Sequence, residues 1–192
     1  MSTSGNVMRL AAEELEASDL VTVVDSANLS TGIGLLVIEA AIMAEKGQSA
    51  AEIAATIESL KPNVRASFVV DTLTYLYRGG RCNAVSAMAG GVLRLHPKIV
   101  VENGAMDASK KYRGKINSVI MSYVKDMEED LKSARPERVF ITHSGCDRDT
   151  VNAVRSCLES LGIFHEILET RAGGVVSSHC GPGTLGVLFI AK

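Results

Sequence analysis

Residues 75–82 read Y-L-Y-R-G-G-R-C, with Arg78 and Arg81 flanking a Gly-Gly step beyond the apolar side chains Leu73, Tyr75 and Leu76. Gly-Gly breaks a helix, because it gives up backbone entropy and has no side chain to pack. It also lets backbone come close to a ligand. An arginine beside it can grip a carboxylate or phosphate through two parallel N–H donors. Arg81 is therefore a candidate anion ligand; the plain alternative is a turn with two solvated charges. His179, in the polar glycine segment S-S-H-C-G-P-G, is a second candidate, set against a surface loop histidine. His143 ends an apolar run in I-T-H-S-G-C-D, a place for a site or for a residue that caps the helix starting at Asp147. Ser30, Thr31 and Gly32 follow a polar loop and open a helix. Their hydroxyls and free backbone N–H groups favour an anion, or serve only as an N-cap.

Several chemistries are excluded by what is missing. Cys82, Cys146, Cys157 and Cys180 share no C-x-x-C spacing, so they read as reduced thiols and not as a disulfide framework. A zinc site built from them with His143 and His179 lacks paired-ligand spacing. There is no G-x-S-x-G and no phosphate loop. Thr31-Gly32-Ile33-Gly34 gives only half of a dinucleotide fingerprint, with Leu36 and Val37 where the third glycine should fall. No carboxylate pair sits in a glycine loop, which leaves glycosidase and two-metal chemistry unsupported. Twenty basic against 22 acidic residues, a net charge of -2 and no Trp give no pull toward nucleic acid. No apolar run is long enough to span a bilayer, and the start carries no basic-then-apolar leader, so the expectation is a cytoplasmic protein. The residues alone point to binding of an anionic small molecule without an evident catalyst or cofactor.

The positioning elements follow from periodicity and punctuation. Residues 7–17 have helical period, and residues 20–24 (L-V-T-V-V) read as a buried strand. Residues 25–31 form a polar loop, and a helix runs from Gly32 to about Lys46, ended by Gly47. Ser49 with Glu52 has capping-box spacing, opening a helix to Leu60. Strand, polar loop and helix in that order give an α/β pattern with ligands at the carboxyl ends of strands. Lys61-Pro62-Asn63 reads as a linker between an N-terminal part, 1–62, and a C-terminal part, 63–192. Beyond it come a strand over 66–70, a short helix to Tyr77 capped by Asp71 or Thr72, and a small-residue helix over 84–95. A hairpin turns at Asn103-Gly104. Residues 112–133 carry a long helical pattern, followed by strand 138–142, helix 148–160, strand 164–168, the glycine-rich loop and strand 185–190. A hairpin beside strand–helix units predicts a mixed sheet.

V-V-D-S-A-N-L-S-T-G-I-G, F-V-V-D-T-L-T-Y-L-Y-R-G-G-R, K-K-Y-R-G-K and S-H-C-G-P-G-T-L-G, in this order over residues 21–190, closely resemble the motifs of the DegV family. These are bacterial fatty-acid-binding proteins, some of them acyl-carrying subunits of fatty acid kinase. The resemblance implies a two-lobed α/β protein with a fatty acid between the lobes. It implies Arg81 and His179 near the head group and Arg113 on the surface that meets the catalytic kinase subunit. The family's head-group serine falls at Ser2 or Ser4. The early Asp-Ser and threonine-serine-proline motifs of the family are absent. The expectation is thus a chain that starts inside a truncated first lobe, whose exposed sheet edge and apolar face can drive a homodimer.

Three functions stand open on the sequence. One is a long-chain fatty-acid-binding module that presents its carboxylate to a kinase. Another is a stand-alone phosphoryl- or acyl-transfer enzyme using His143 or His179. The third is a relative that only dimerises. Lys110, Lys111, Arg113 and Lys115 are costly to bury together, so they should face solvent.

Overall fold

The computed structural model describes residues 3–81 and 95–192, and its first third is helical. Helix α1 spans Ser4–Glu14, α2 Ser30–Glu45 and α3 Ala50–Leu60. The start of α3 is the one its sequence dictates. The Ser49 hydroxyl accepts from the Glu52 N–H, and the Glu52 carboxylate accepts from the Ser49 N–H. The strand expected over 20–24 does not form. That stretch is irregular, and Leu20 and Val21 are 87% and 44% exposed. A strand needs a neighbouring ladder for its N–H and C=O groups, and the sheet described below lends it none.

Lys61–Asn63 is a single 3-10 turn and not an open linker. It feeds β1 (Val64–Val69), then α4 (Thr74–Arg78), β2 (Leu95–Glu102) and β3 (Ala105–Arg113). Asn103 and Gly104 join β2 to β3 with φ of 50° and 74°, the two positive values of the expected type I′ turn. There follow α5 (Ile116–Asp126), α6 (Glu128–Lys132), β4 (Ala134–Ser144), α7 (Arg148–Ser160), β5 (Glu166–Arg171), α8 (Gly174–Cys180) and β6 (Thr184–Ala191). Two expectations are corrected here. The long helical pattern over 112–133 divides into the end of β3 and two helices. Leu95, His96 and Pro97 pair with Arg113, Tyr112 and Lys111, so ladder hydrogen bonds override local helical period. The glycine-rich loop contains a helix, α8, which packs on α4 and so gains tertiary support that its glycines do not supply. The small-residue helix expected over 84–95 and Cys82 lie outside the described residues, apart from Leu95 in β2.

The strands form one sheet in the order β3-β2-β1-β6-β4-β5. Only β4 and β5 are parallel, so the sheet is mixed as expected. Both faces are covered. Helices α5, α6 and α7 lay Ile120, Tyr123, Leu131, Val154 and Leu158 on Val69, Ile141, Val187 and Phe189. On the other face Leu35 and Leu36 of α2, Ile57 of α3 and Leu76 of α4 pack on Phe68, Ile99, Leu188 and Ile190. Being covered on both sides, β6 is apolar and buried along its whole length. Tyr123 locks the centre: its hydroxyl donates to the Ser67 carbonyl at 2.8 Å and accepts from the Val187 N–H at 3.0 Å, bridging β1 and β6. Large apolar side chains left exposed concentrate early in the chain: Val7, Met8, Leu10 and Leu15 of α1, then Leu20, Val21, Ile33 and Val37. No described helix is long and apolar enough to cross a membrane.

Candidate functional site

Because β2 and β6 run against the other four strands, one end of the sheet collects the carboxyl ends of β1, β3, β4 and β5 and the starts of β2 and β6. All four motif segments reach that end. A cavity of about 30 Å³ lies under α8, lined among others by Leu29, Ser30, Phe68, Thr142, Cys180 and Leu188. Leu29 and Ser30 come from the first motif, Phe68 from the second and Cys180 and Leu188 from the region of the fourth. Three stretches far apart in sequence thus supply an apolar wall with a hydroxyl rim.

The polar loop before α2 is held by itself. Asp25, Ser26 and Asn28 side chains accept from the N–H groups of Ala27, Asn28 and Leu29. No side chain caps α2, whose N-cap position is Leu29. The N-cap reading of Ser30 and Thr31 is therefore corrected. Thr31 instead shares a hydrogen bond with Thr142 at 2.6 Å, and Thr142 shares another with Thr170 at 2.9 Å, a hydroxyl row from α2 across β4 to β5. Ser30 has φ 49° and faces the cavity. Gly32 is buried beneath the Asn28 amide, where a Cβ would overlap that side chain, so it seats the loop against α2.

The R-G-G-R break meets the histidine segment outside the residues that line this cavity, with His179 next in sequence to the lining residue Cys180. A Cβ on Gly79 would stand 2.6 Å from His179 Nδ1, so the imidazole rests on bare backbone. Gly181, buried with φ 80°, faces the Tyr75 ring so closely that a Cβ would overlap it. Arg81 is exposed, and its Nη1 donates to the Gly79 carbonyl at 2.8 Å. Among the described residues His179 has no hydrogen-bond or ion-pair partner. Ser4 is exposed as the first residue of α1, while Ser2 lies outside the described residues.

His143 lines the cavity, but its ring nitrogens are engaged. Its Nδ1 accepts from the Cys146 N–H at 3.3 Å, and its Nε2 faces Glu169 Oε1 at 3.4 Å. Arg148 grips the same carboxylate at 2.6 and 3.1 Å and holds the Glu169 carboxyl below the usual range. With both ring nitrogens engaged, His143 shapes the turn into α7. Asp147 is the cap of that helix, accepting from the Thr150 N–H at 2.8 Å. Burial pushes the Cys146 and Cys180 thiols up to about 11, so both are protonated at neutral pH.

Arg113 ends β3 and faces solvent, as do Lys110, Lys111 and Lys115; Lys110 pairs with Asp126 at 2.5 Å. The sequence reading passed over Thr142, Thr170 and His96. His96 is 5% exposed in β2 and donates from Nε2 to the Gly114 carbonyl at 3.0 Å. Its one signal was a polar side chain at an inward position of an apolar strand.

The chain is thus a mixed-sheet α/β fold with a small apolar cavity, a hydroxyl rim and basic side chains at one end of the sheet. The chain belongs to the DegV family: the family described as "Uncharacterised protein, DegV family" matches it over residues 1–192. A DegV domain-containing protein of Deinococcus radiodurans is 36% identical over 181 residues, covering 93% of this chain and 62% of that protein. The solved structure described as fatty acid binding of a DegV family protein from Thermus thermophilus is 32% identical, with a TM-score of 0.87 over 100% of this chain and 67% of that one. The Streptococcus pneumoniae fatty acid kinase B3 protein, loaded with linoleic acid, has a TM-score of 0.83 over 100% of this chain and 68% of that one. At 18% identity this is a likeness of fold alone. The chain spans 62% and 64% of the length of two of the curated relatives it matches.

Proposed function

We propose that this chain belongs to a protein that binds a long-chain fatty acid and presents its carboxylate to a fatty acid kinase. The observation that carries this reading is the convergence of three motif segments on one apolar cavity, with Gly79 against His179, the residue before the cavity-lining Cys180. The 32% identical Thermus protein, described as fatty acid binding, supports it. In this reading Arg81 and His179 hold the head group, with hydroxyls from Ser30 and from Ser2 or Ser4. A carboxylate removed from water needs such donors, or it takes up a proton instead. In this reading the space of about 30 Å³ receives one end of the tail and the rest lies outside it. Among the described residues, 3–62 supply helices α1 to α3 and 64–192 supply the six strands, with α2 and α3 packed on one face of the sheet.

Lys111, Arg113 and Lys115 form the docking face for an acidic surface of the kinase, where charge speeds encounter and sets specificity. Unpaired Cys146, Cys157 and Cys180 suit the reducing cytoplasm. The reading as a stand-alone phosphoryl- or acyl-transfer enzyme is weaker, because His143 has no free nitrogen and His179 has no acid to orient it among the described residues.

The test is mass spectrometry of solvent extracts of the purified protein. A straight-chain fatty acid of roughly 14–18 carbons is expected, because tail burial gains ~0.8 kcal/mol per methylene against the cost of ordering the chain. Nucleotide or phosphate alone would overturn the reading. Arg81→Ala should lower fatty acid retention by about 2–5 kcal/mol if the carboxylate is left buried and unpaired. Arg113→Ala should leave lipid content unchanged and weaken association with the kinase, most at low salt.

A further inference from the structure

His96 joins two of the motif segments. Its Nε2 lies 3.0 Å from the carbonyl of Gly114, which stands between Arg113 and Lys115 in the basic segment. Its Nδ1 lies 3.4 Å from Asp71 Oδ1, where the chain leaves β1 for the segment that ends at Arg81. Yet Nδ1 is a buried atom with no hydrogen-bond partner. Asp71 is half exposed, so it can move; the ring, 6% exposed in its side chain, is confined.

The neutral imidazole gives this pair two alternative bonding arrangements. A ring with one proton donates from one nitrogen and offers a lone pair from the other. A carbonyl and a carboxylate are both acceptors, so a single proton can serve Gly114 or Asp71 but not both. The distances place the proton on Nε2, with the Nδ1 lone pair facing a carboxylate oxygen across 3.4 Å. Any shift of residues 71–81 that brings the carboxylate inward favours the proton on Nδ1 and releases Gly114. A shift outward does the reverse. Asp71 is the one titratable group within ion-pair distance of the ring among the described residues. Tyr112, opposite on β3, turns its hydroxyl to Asp126, and Arg113 and Lys115 face solvent.

We propose that His96 is a positioning residue, a two-state link through which occupancy of the fatty acid site sets the conformation of the basic loop at residues 113–115. The inference rests on the fatty acid reading given above. Coupling requires one element with two arrangements, each contacted by a different surface, and the choice of proton site on His96 supplies it.

The test uses the full chain, 15N-labelled, stripped of lipid and reloaded with palmitate. Ring nitrogen shifts report which nitrogen of His96 carries the proton, and backbone amide shifts report the loop. On loading, the ring pattern should change and the amides of Arg113, Gly114 and Lys115 should move with it. In His96→Gln the palmitate content should be unchanged and the loop response lost. Asp71→Asn, at an exposed position, lets an amide N–H donate to Nδ1. The ring should then stay protonated on Nε2 and the loop should stay still, in a protein that melts as the parent does. An undiminished loop response in either variant, or loop movement with no change at the ring, overturns the link alone. Absence of bound palmitate in the parent protein overturns the fatty acid reading, and the link with it.

Discussion

A single methyl group on Gly79 probes the head-group assignment without altering Arg81 or His179. The Cβ of Gly79→Ala would stand 2.6 Å from His179 Nδ1 and 3.1 Å from Cε1 and Cγ. Ordinary contact begins near 3.4 Å, so the ring must retreat by about 0.8 Å, the difference between 3.4 and 2.6 Å. Gly79 has φ -78° and ψ 1°, which alanine adopts without strain, and the ring is only half-buried at the end of a seven-residue helix. Stability should therefore change by less than ~1 kcal/mol. If His179 donates to the bound carboxylate, the retreat removes a hydrogen bond to a charged group, about 1.5–3 kcal/mol. That is roughly a ten- to hundredfold loss of affinity. Displacement of a fluorescent fatty acid gives the affinity, and calorimetry gives Tm. Gly181→Ala is the contrast: its φ of 80° and the Tyr75 ring should make it fail mainly in Tm. Affinity within twofold of the parent in Gly79→Ala, with the ring shown to be displaced, would refute the role given to His179.

Tyr123→Phe should lower stability by about 1–3 kcal/mol in urea melts, because the Val187 N–H and the Ser67 hydroxyl lose a buried partner; an unchanged midpoint would sink that account. Acid should unfold the protein through its depressed carboxyls. Asp126, Asp147 and Glu169 are lowered, first by hydrogen bonds from Lys110, Thr150 and Arg148 respectively. Their stabilisation is complete above the unfolded carboxyl range near ~4 and is lost as pH falls through the folded values, so Tm should hold from neutral to about pH 5 and drop below it. A Tm that rises on acidification would contradict the sign. Cys180, buried and with its thiol pushed up to about 11, should react with a disulfide reagent only after unfolding; fast labelling of the native protein would place α8 elsewhere.

How much of this was legible in the sequence depends on the range of the forces involved. The capping box at Ser49 and Glu52, the Asn103-Gly104 turn and α7 with its bounds of Arg148–Ser160 are set within a few residues, and each stands as its residues require. The run over 20–24 failed because β-branched residues specify a strand only where another strand waits for them. The pattern over 112–133 failed at its first residues because Tyr112 lies in the β2–β3 ladder and its hydroxyl donates to Asp126 at 2.7 Å, a contact across the sheet edge. Of the candidate site, Ser30, Gly79 and His179 could be named from local chemistry. The hydroxyl row from Thr31 to Thr170 could not, since threonines in apolar strands are ordinary until a third element brings a hydroxyl against them.

The Gly-Gly step between the arginines has a structural role beside the ligand contact its chemistry suggests. Backbone exposed by a missing side chain was expected to approach a ligand directly. In the structure Gly79 makes room for His179, a residue 100 positions later, and Gly80, with φ 68°, turns the chain so that Arg81 folds back on the Gly79 carbonyl. That contact is exposed and therefore weak, about 1 kcal/mol for a typical hydrogen bond. In the fatty acid reading proposed above, a bidentate carboxylate pairing, charge-assisted and stronger, would draw the guanidinium from this acceptor. The break thus does two jobs that a helix could not: it brings an imidazole against bare backbone, and it turns Arg81 back onto the Gly79 carbonyl.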